Sequence, residues 1–463
     1  MNSISNKLLS GPGKSQVRNR GFSLPLSGID STRIEIDFNG GALSSDAGVL
    51  LLRETERQMG ILDQITGCIA DERDQRYVTQ SVKAMLSQRV YQIACGWEDG
   101  NDCDHLREDP IFKMAADRRP KTGAPLASQP TMSRFENSIS VKELYRIAET
   151  FVHTFIAGYD KAPKVIVLDF DDTVDPVHGQ QQLSLFNGYY GEYCYCPLHV
   201  YEGLSGKFIT ALLKPGKRSS GQQSLAILKR LVNKLRQVWP KTLLVFRADG
   251  HFSSPVIHQW IEGQKNVYFI TGLTSNAVLR ERCKGVRERA KRLYQEQHQP
   301  VKLYHSFYYQ ANSWEQAYRI VAKIERGDRG ENIRFVVTNM YLAKTRMVYE
   351  YIYCRRGNME NMIKEHKVYL KSDRTSCHRF AANQFRLFIH SAAYVLLHAL
   401  RSHVLKHTQF ARASFETLRV KLLKIGAQVQ EMRTRIKVQL PESYPHKEVI
   451  ERCSGIFALL AKT

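Results

Sequence analysis

From residue 164 to residue 275 the apolar positions change rhythm in a regular order. Apolar runs of strand length occur in KVIVLDF, CPLHVYEG, KFITALLKPG, TLLVFRAD and NVYFITGL. Between the third and fourth lies GQQSLAILKRLVNKLRQVW, where Leu225, Leu228, Leu231 and Leu235 recur at helical spacing. A second, shorter helix is predicted near Val256–Gln264. The predicted order is therefore β-β-β-α-β-α-β, with short links where hairpins are expected and helices where parallel crossovers are needed. That is the order of a ribonuclease-H-like α/β core.

Outside this region the pattern is different. Residues 44–158 read as helical. Ser45 or Asp46 is the expected cap of a helix through AGVLLLRETERQMG, a second helix is expected in YVTQSVKAMLSQRVYQIACG and a third over Val141–Ala157. RRPKTGAPLASQPTMSRFEN reads as a linker, from its Pro, Ser and basic residues. Residues 1–43 form a basic arm ending in a strand over Thr32–Phe38. Residues 276–343 read as a β-rich insertion with a basic entry helix and three strands, KLYHSFYYQ, QAYRIVAKIE and NIRFVVTNM. Helices resume over Thr345–Tyr369 and Arg379–Val404. Residues 409–463 form a small C-terminal region with a strand-like run and a last helix over Lys447–Ala461. The core thus divides into 159–275 and 344–408 around the insertion.

Composition adds a partner. The formal charge is +22, with 67 Lys+Arg against 45 Asp+Glu, which points to a polyanion, foremost nucleic acid. The densest basic run is Arg280–Arg292, where Arg287, Arg289, Lys291 and Arg292 form a candidate track for DNA phosphates. No apolar run reaches the roughly 18 residues of a membrane span, and Leu387–Leu400 reads as a buried helix. The first twenty residues carry no signal-peptide pattern. The nine cysteines are scattered. Cys194 and Cys196, with His199, lack the second half of a zinc site. The expectation is a cytoplasmic, nucleoid-associated protein with reduced thiols.

Candidate chemistry begins at VLDFDDTVDPVHG, which holds four carboxylates in the seven positions from Asp169 to Asp175. Like charges so close favour protonation unless something positive joins them. Alternation puts Asp169 and Asp171 on one face at the end of the first core strand. Asp249 ends the fourth strand, and Glu360 lies on the helix after the insertion. Oxygen-only convergence of this kind suits Mg²⁺ or Mn²⁺. Tyr353, Arg356, Glu360 and Lys367 are spaced 3, 4 and 7 residues apart, which on a uniform α-helix is one narrow stripe.

These residues resemble the DDE transposases of bacterial insertion sequences whose third acid lies in a Tyr-x2-Arg-x3-Glu-x6-Lys signature. DFDDTVDPVHGQQ, FNGYYGEYCYCPLHVYEG, FRADGHF and YCRRGNMENMIKEHK look more closely like the insertion-sequence family numbered 1380, over the chain from about Ser44. The resemblance implies Asp171, Asp249 and Glu360 as catalytic acids holding two Mg²⁺ or Mn²⁺ ions, and the same-face position of Asp169 makes it a tuner or an auxiliary ligand. It implies contacts from Tyr353, Arg356, Lys364 and Lys367 to the DNA backbone. It also implies double-stranded DNA partners (terminal inverted repeats and target) and a homodimer in the synaptic complex. Trp314, in the insertion, is the candidate for stacking on an extruded base, whereas Trp97, Trp239 and Trp260 read as packing residues. Two other readings stand beside this one. Asp169-x-Asp171-x-Thr173 also fits the first motif of haloacid-dehalogenase-type phosphatases, with Asp169 as nucleophile. A catalytically silent, transposase-derived DNA-binding protein would keep the charge and lose the reaction.

Overall fold

The computed structural model describes residues 26–217 and 219–460. Most of the expected basic arm lies outside the described residues. Its end forms a hairpin of Leu26–Ile29 with Thr32–Ile34, in place of a single strand.

Helices α1 (Val49–Met59), α2 (Val82–Ala94) and α3 (Val141–Ala157) occupy the expected stretches. Ser140 and Glu143 close a reciprocal capping box on α3, which fixes its start by satisfying two free backbone donors. The start of α1 is set differently: neither Ser45 nor Asp46 caps it. Asp46 is instead drawn inward by Lys424 Nζ at 2.7 Å and Trp97 Nε1 at 3.3 Å. A Cβ on Gly48 would lie 1.7 Å from the Leu422 carbonyl oxygen, so the C-terminal region crosses directly over this helix start. The expected linker contains a further helix, Gln129–Ser138, with a proline in its first turn. Proline there removes no helical hydrogen bond, so its presence marks a helix start as readily as a linker.

Eight strands make the central sheet. They are β1 (Val165–Asp172), β2 (Leu198–Glu202), β3 (Phe208–Leu212), β4 (Leu243–Ala248), β5 (Val267–Leu273), β6 (Val301–Tyr309), β7 (Tyr318–Gly327) and β8 (Gly330–Thr338). Their spatial order is β6-β7-β8-β5-β4-β1-β2-β3. β1, β4 and β5 run parallel, and the remaining pairs are antiparallel. Helix α4 (Gly221–Val238) crosses from β3 to β4, and α5 (Pro255–Glu262) from β4 to β5. The three strands after the basic helix α6 (Lys284–Gln297) continue the same sheet beyond β5 rather than forming a sheet of their own.

The two faces of the sheet are covered differently. Ile166, Leu168 and Phe170 of β1, with Leu244 and Phe246 of β4, pack among the leucines of α4. Val167, Val245, Ile270, Val321 and Val336 face the other side, against Val348 and Tyr349. Those two residues open a helical run from Met347 to Tyr369. The run has wide π turns at Met347–Tyr353 and Glu365–Tyr369, a tight 3-10 turn at Cys354–Arg356, and one α segment, α7 (Gly357–Lys364). Helix α8 (Phe380–Ala399) follows. Every residue from Ala382 to Ala399 is buried, because the N-terminal helices and the C-terminal region share one core around it. Its apolar length therefore serves packing, and among the described residues no helix is long and apolar enough to cross a membrane.

Polar groups enter the second face as the strands approach their carboxyl ends. Asp169 stands opposite Arg247 in the β1–β4 register. Arg247 Nε and Nη2 reach the two Asp169 oxygens at 2.5 and 2.6 Å, and Nη1 donates to the Ile352 carbonyl at 2.7 Å. Both side chains are almost fully buried. Removing one member leaves the other charge buried alone, which costs more than the pair contributes. Arg247→Ala is expected to lower stability by about 3–5 kcal/mol, read as a shifted urea midpoint at constant slope. Arg247→Met combined with Asp169→Leu should recover most of that loss.

Candidate active site

The alternation that puts Val167 and Val245 under the helical run also puts Asp171 and Asp249 there. β1 and β4 are parallel with Phe170 opposite Ala248, so the next residues along, Asp171 and Asp249, emerge side by side at the carboxyl edge, where α/β sheets hold ligands. Burial first, and the neighbouring Asp249 charge second, raise the Asp171 pKa to about 7. The Asp249 carboxylate also accepts from the His251 backbone N–H at 2.9 Å, which fixes the turn after β4.

The helical run supplies the third acid and a cation. Arg356 Nη1 lies 3.3 Å from Asp171 Oδ2, and its Nη2 lies 3.5 Å from Glu360 Oε1. One guanidinium thus spans two of the three expected acids. Glu360 itself is 69% exposed against 18% for Asp171, so it sits at the rim while Asp171 sits at the floor. Oxygen-only donors are the type that hard divalent cations take. Asp171 and Asp249 form the pair, and Glu360 reaches it through Arg356. Among the described residues no three potential ligands are gathered closely enough to enclose an ion.

All four acids of the opening motif have cationic partners from elsewhere in the chain. Asp169 has Arg247. Asp171 has Arg356. Asp172 points to the opposite face, where Lys214 Nζ lies at 2.8 Å, the Ser219 N–H donates at 3.0 Å and His251 Nε2 stands 3.8 Å away. Asp175 has Lys367 Nζ at 3.6 Å, and Lys367 also donates to the Val174 carbonyl. Burial nevertheless pushes the Asp175 carboxyl up to about 7.

Several expected roles change in this geometry. Asp169 has both oxygens held by Arg247, so it anchors β4 to β1. A Cβ on Gly203 would lie 2.4 Å from Asp169 Oδ2, so the backbone closes the remaining side. Tyr353, Arg356 and Glu360 of the expected stripe line one cavity, and the wide turn at Glu365–Tyr369 takes Lys367 away from them. The Tyr353 hydroxyl lies against Gly272, Arg356 faces Asp171, and Lys367 reaches Asp175. Lys364 is exposed, its Nζ 5.7 Å from the Tyr369 ring. Trp314 is only 8% exposed and is walled in by Tyr309, Tyr318 and His258, so it presents no face to a base. On α6, Arg287 is tied to Glu331, whereas Arg289, Lys291 and Arg292 are exposed. All nine cysteines are free.

Arg247, Lys214 and Ser219 were not anticipated. Only Arg247 left a signal: Arg247-Ala248-Asp249 repeats the spacing of Asp169-Phe170-Asp171 on the adjacent strand, which aligns the two pairs.

The model of the family described as Transposase DDE domain group 1 matches residues 26–461. The chain belongs to this DDE transposase family. The match begins ahead of Ser44, so it takes in the N-terminal hairpin as well as the helices and the sheet. No curated protein matches the chain. Among solved structures, the cryo-EM structure of piggyBac transposase in a synaptic complex with hairpin DNA is similar at a TM-score of 0.43 and 11% identity, covering 82% of this chain and 80% of that one.

In the DDE transposase family member described here, the Asp171 proton is held more tightly in the folded protein than in the unfolded chain. Its contribution to stability therefore falls as pH rises from the ordinary 3.8 to about 7 and stays low above that. Asp171→Asn, in protein stripped of divalent ions, is expected to be more stable than wild type at pH 8 by up to about 4 kcal/mol, since the rise from 3.8 to about 7 spans roughly three pKa units at about 1.4 kcal/mol each. The advantage should vanish near pH 4. Thermal melts at the two pH values check this, and an equal difference at both would contradict it.

Proposed function

We propose that this family member cuts and joins the terminal inverted repeats of a bacterial insertion sequence, resembling the family numbered 1380, on a ribonuclease-H-like core. The observation that carries the reading is the side-by-side emergence of Asp171 and Asp249 from parallel strands, beneath a helical run that brings Arg356 and Glu360 over them. The sheet order β3-β2-β1-β4-β5, with β2 antiparallel to β1 and β3, supports the fold assignment.

Asp171 and Asp249 would hold Mg²⁺ or Mn²⁺, with Glu360 as the third oxygen donor. Such ions, when bound, would supply activation of a water or 3′-hydroxyl and charge stabilisation at the leaving oxygen. The remaining steps belong to the protein. Arg356, with its forked guanidinium, is suited to grip a phosphodiester bidentately. Lys367 and Lys214 keep Asp175 and Asp172 neutralised, so that the strand end tolerates the uncompensated charge of the catalytic pair. The exposed Arg289, Lys291 and Arg292 of α6 add a track for duplex phosphates. Each element end needs an active site, which makes a homodimer the working unit on DNA.

The phosphatase reading needs Asp169 as a nucleophile. With its carboxylate fully buried and both oxygens held by Arg247, Asp169 has no path to a substrate.

The test is incubation of the purified protein with labelled element-end DNA and Mg²⁺. Nicked and joined products are expected. Asp171→Ala, Asp249→Ala and Glu360→Ala should each reduce cleavage at least about 100-fold, as loss of a transition-state charge stabiliser does, with end binding retained. Turnover of a phosphomonoester with inert DNA would favour the phosphatase, and binding without cleavage would favour the silent DNA-binding protein.

A further inference from the structure

The turn that follows β4 is tied back to β1 by a route that the three acids do not use. Asp249 caps a single 3-10 turn, Gly250–Phe252, by accepting the His251 N–H at Oδ1. Phe252 fixes the far end of this turn, buried beside Phe170. The imidazole of His251 makes a separate contact, in which Nε2 donates to the Ser219 carbonyl at 3.1 Å. Ser219 is in turn held on β1: its N–H donates to Asp172 Oδ2 at 3.0 Å and its hydroxyl to Oδ1 at 3.2 Å. The next residue, Ser220, opens α4 with a reciprocal capping box to Gln223. The carbonyl that His251 reaches therefore belongs to a stretch already fixed on both sides.

Neutralising Asp172 is not what the ring adds. Lys214 Nζ stands 2.8 Å from that carboxylate, whereas His251 Nε2 is 3.8 Å away, beyond hydrogen-bond reach. Supplying the donor to Asp249 is not its part either, because the backbone N–H at position 251 is present with any side chain but proline. What the ring governs is where that N–H points. A single 3-10 turn has poor hydrogen-bond geometry of its own, so little within it sets the direction. The links from Asp172 to Ser219, Ser219 to His251 and His251 to Asp249 are all 2.9–3.2 Å long. They start on the face opposite to Asp171 and end at Asp249, so they restrain the two acids without filling the space between them. Among the described residues only Oδ1 of Asp249 has a donor, which leaves Oδ2 for an ion.

We propose that His251 is a positioning residue for the acid pair: its ring, through Ser219 and Asp172, holds the Asp249 carboxylate in place beside Asp171 for a divalent cation. The inference rests on the metal-dependent transposase reading and gives a role to a residue that the resemblance leaves without one.

The test uses the full chain, stripped of divalent ions and titrated with Mn²⁺ in the absence of DNA, the free ion being read by its electron paramagnetic resonance signal. His251→Ala keeps the backbone N–H and is expected to weaken Mn²⁺ binding about 10-fold, the low end for loss of a group that orients a metal ligand. His251→Gln carries an amide donor that can reach the Ser219 carbonyl and should recover most of that loss. The ion-free melting temperatures of both variants are expected to match wild type. A ring that served folding alone would lower the ion-free melting temperature of the alanine variant and leave its Mn²⁺ affinity unchanged, which would overturn the assignment. Equal weakening in the alanine and glutamine variants overturns it too, as does a wild type that binds no Mn²⁺. Wild-type cleavage of element-end DNA is scored in parallel. Cleavage combined with an unchanged Mn²⁺ affinity in the alanine variant removes the positioning role and leaves the transposase reading. A weakening rescued by glutamine, without cleavage, keeps the positioning role and removes the reading it was attached to.

Discussion

Neutralising the end of β1 is the constraint that the rest of this structure satisfies. Four carboxylates within seven residues cannot all be buried or half-buried at one strand end without compensation. The compensation comes from four cations on three other elements: Arg247 on β4, Lys214 after β3, and Arg356 and Lys367 on the helical run. Each ion pair therefore ties another element to β1. The sheet, the helical run and the acids are coupled energetically, because each acid's cationic partner comes from another element.

Much of this could be anticipated from local pattern. The period-2 alternation in β1 and the leucine spacing of α4 place the strands and their crossover, and the same alternation correctly separates Asp172 from Asp171. The capping box at Ser140 and Glu143 is likewise local. What local pattern does not contain is the choice of partner. Asp46 has the composition of a helix cap, but Lys424 and Trp97 lie far away in the chain and take its carboxylate. Trp314 sits in a polar stretch that suggests exposure, yet β7 and α5 bring Tyr318 and His258 around it. Pro130 suggested a linker because proline marks loops as often as helix starts, and nothing within the stretch distinguishes the two.

The helical run from Met347 to Tyr369 shows a subtler limit. A uniform α-helix was the natural reading of its spacing, and the Arg356–Glu360 pair obeys it, being an i,i+4 contact. The wide turns on either side do not. An added residue per turn changes the direction in which later side chains point, so Lys367 meets Asp175 instead of extending a stripe with Glu360. Such turns often occur at functional sites. Here the departure lets one helix contact both ends of the acidic motif.

The distinction between Asp169 and Asp171 shows how the same residue type divides its work by geometry. Both lie on one face of β1, and both carboxyls are pushed up by burial. Asp169 receives a forked guanidinium at 2.5 and 2.6 Å, and a backbone glycine fits against its outer oxygen. Its charge is spent inside the protein. Asp171 receives one long contact at 3.3 Å from an arginine shared with Glu360, and a second carboxylate beside it raises its pKa further. The protein's own cations leave this pair short of positive charge and open to solvent. An undercompensated pair at the carboxyl edge of parallel strands is a place where an external cation or a phosphate-bearing ligand with its counterions lowers the free energy, whereas the acid two residues earlier already has its cation within the protein.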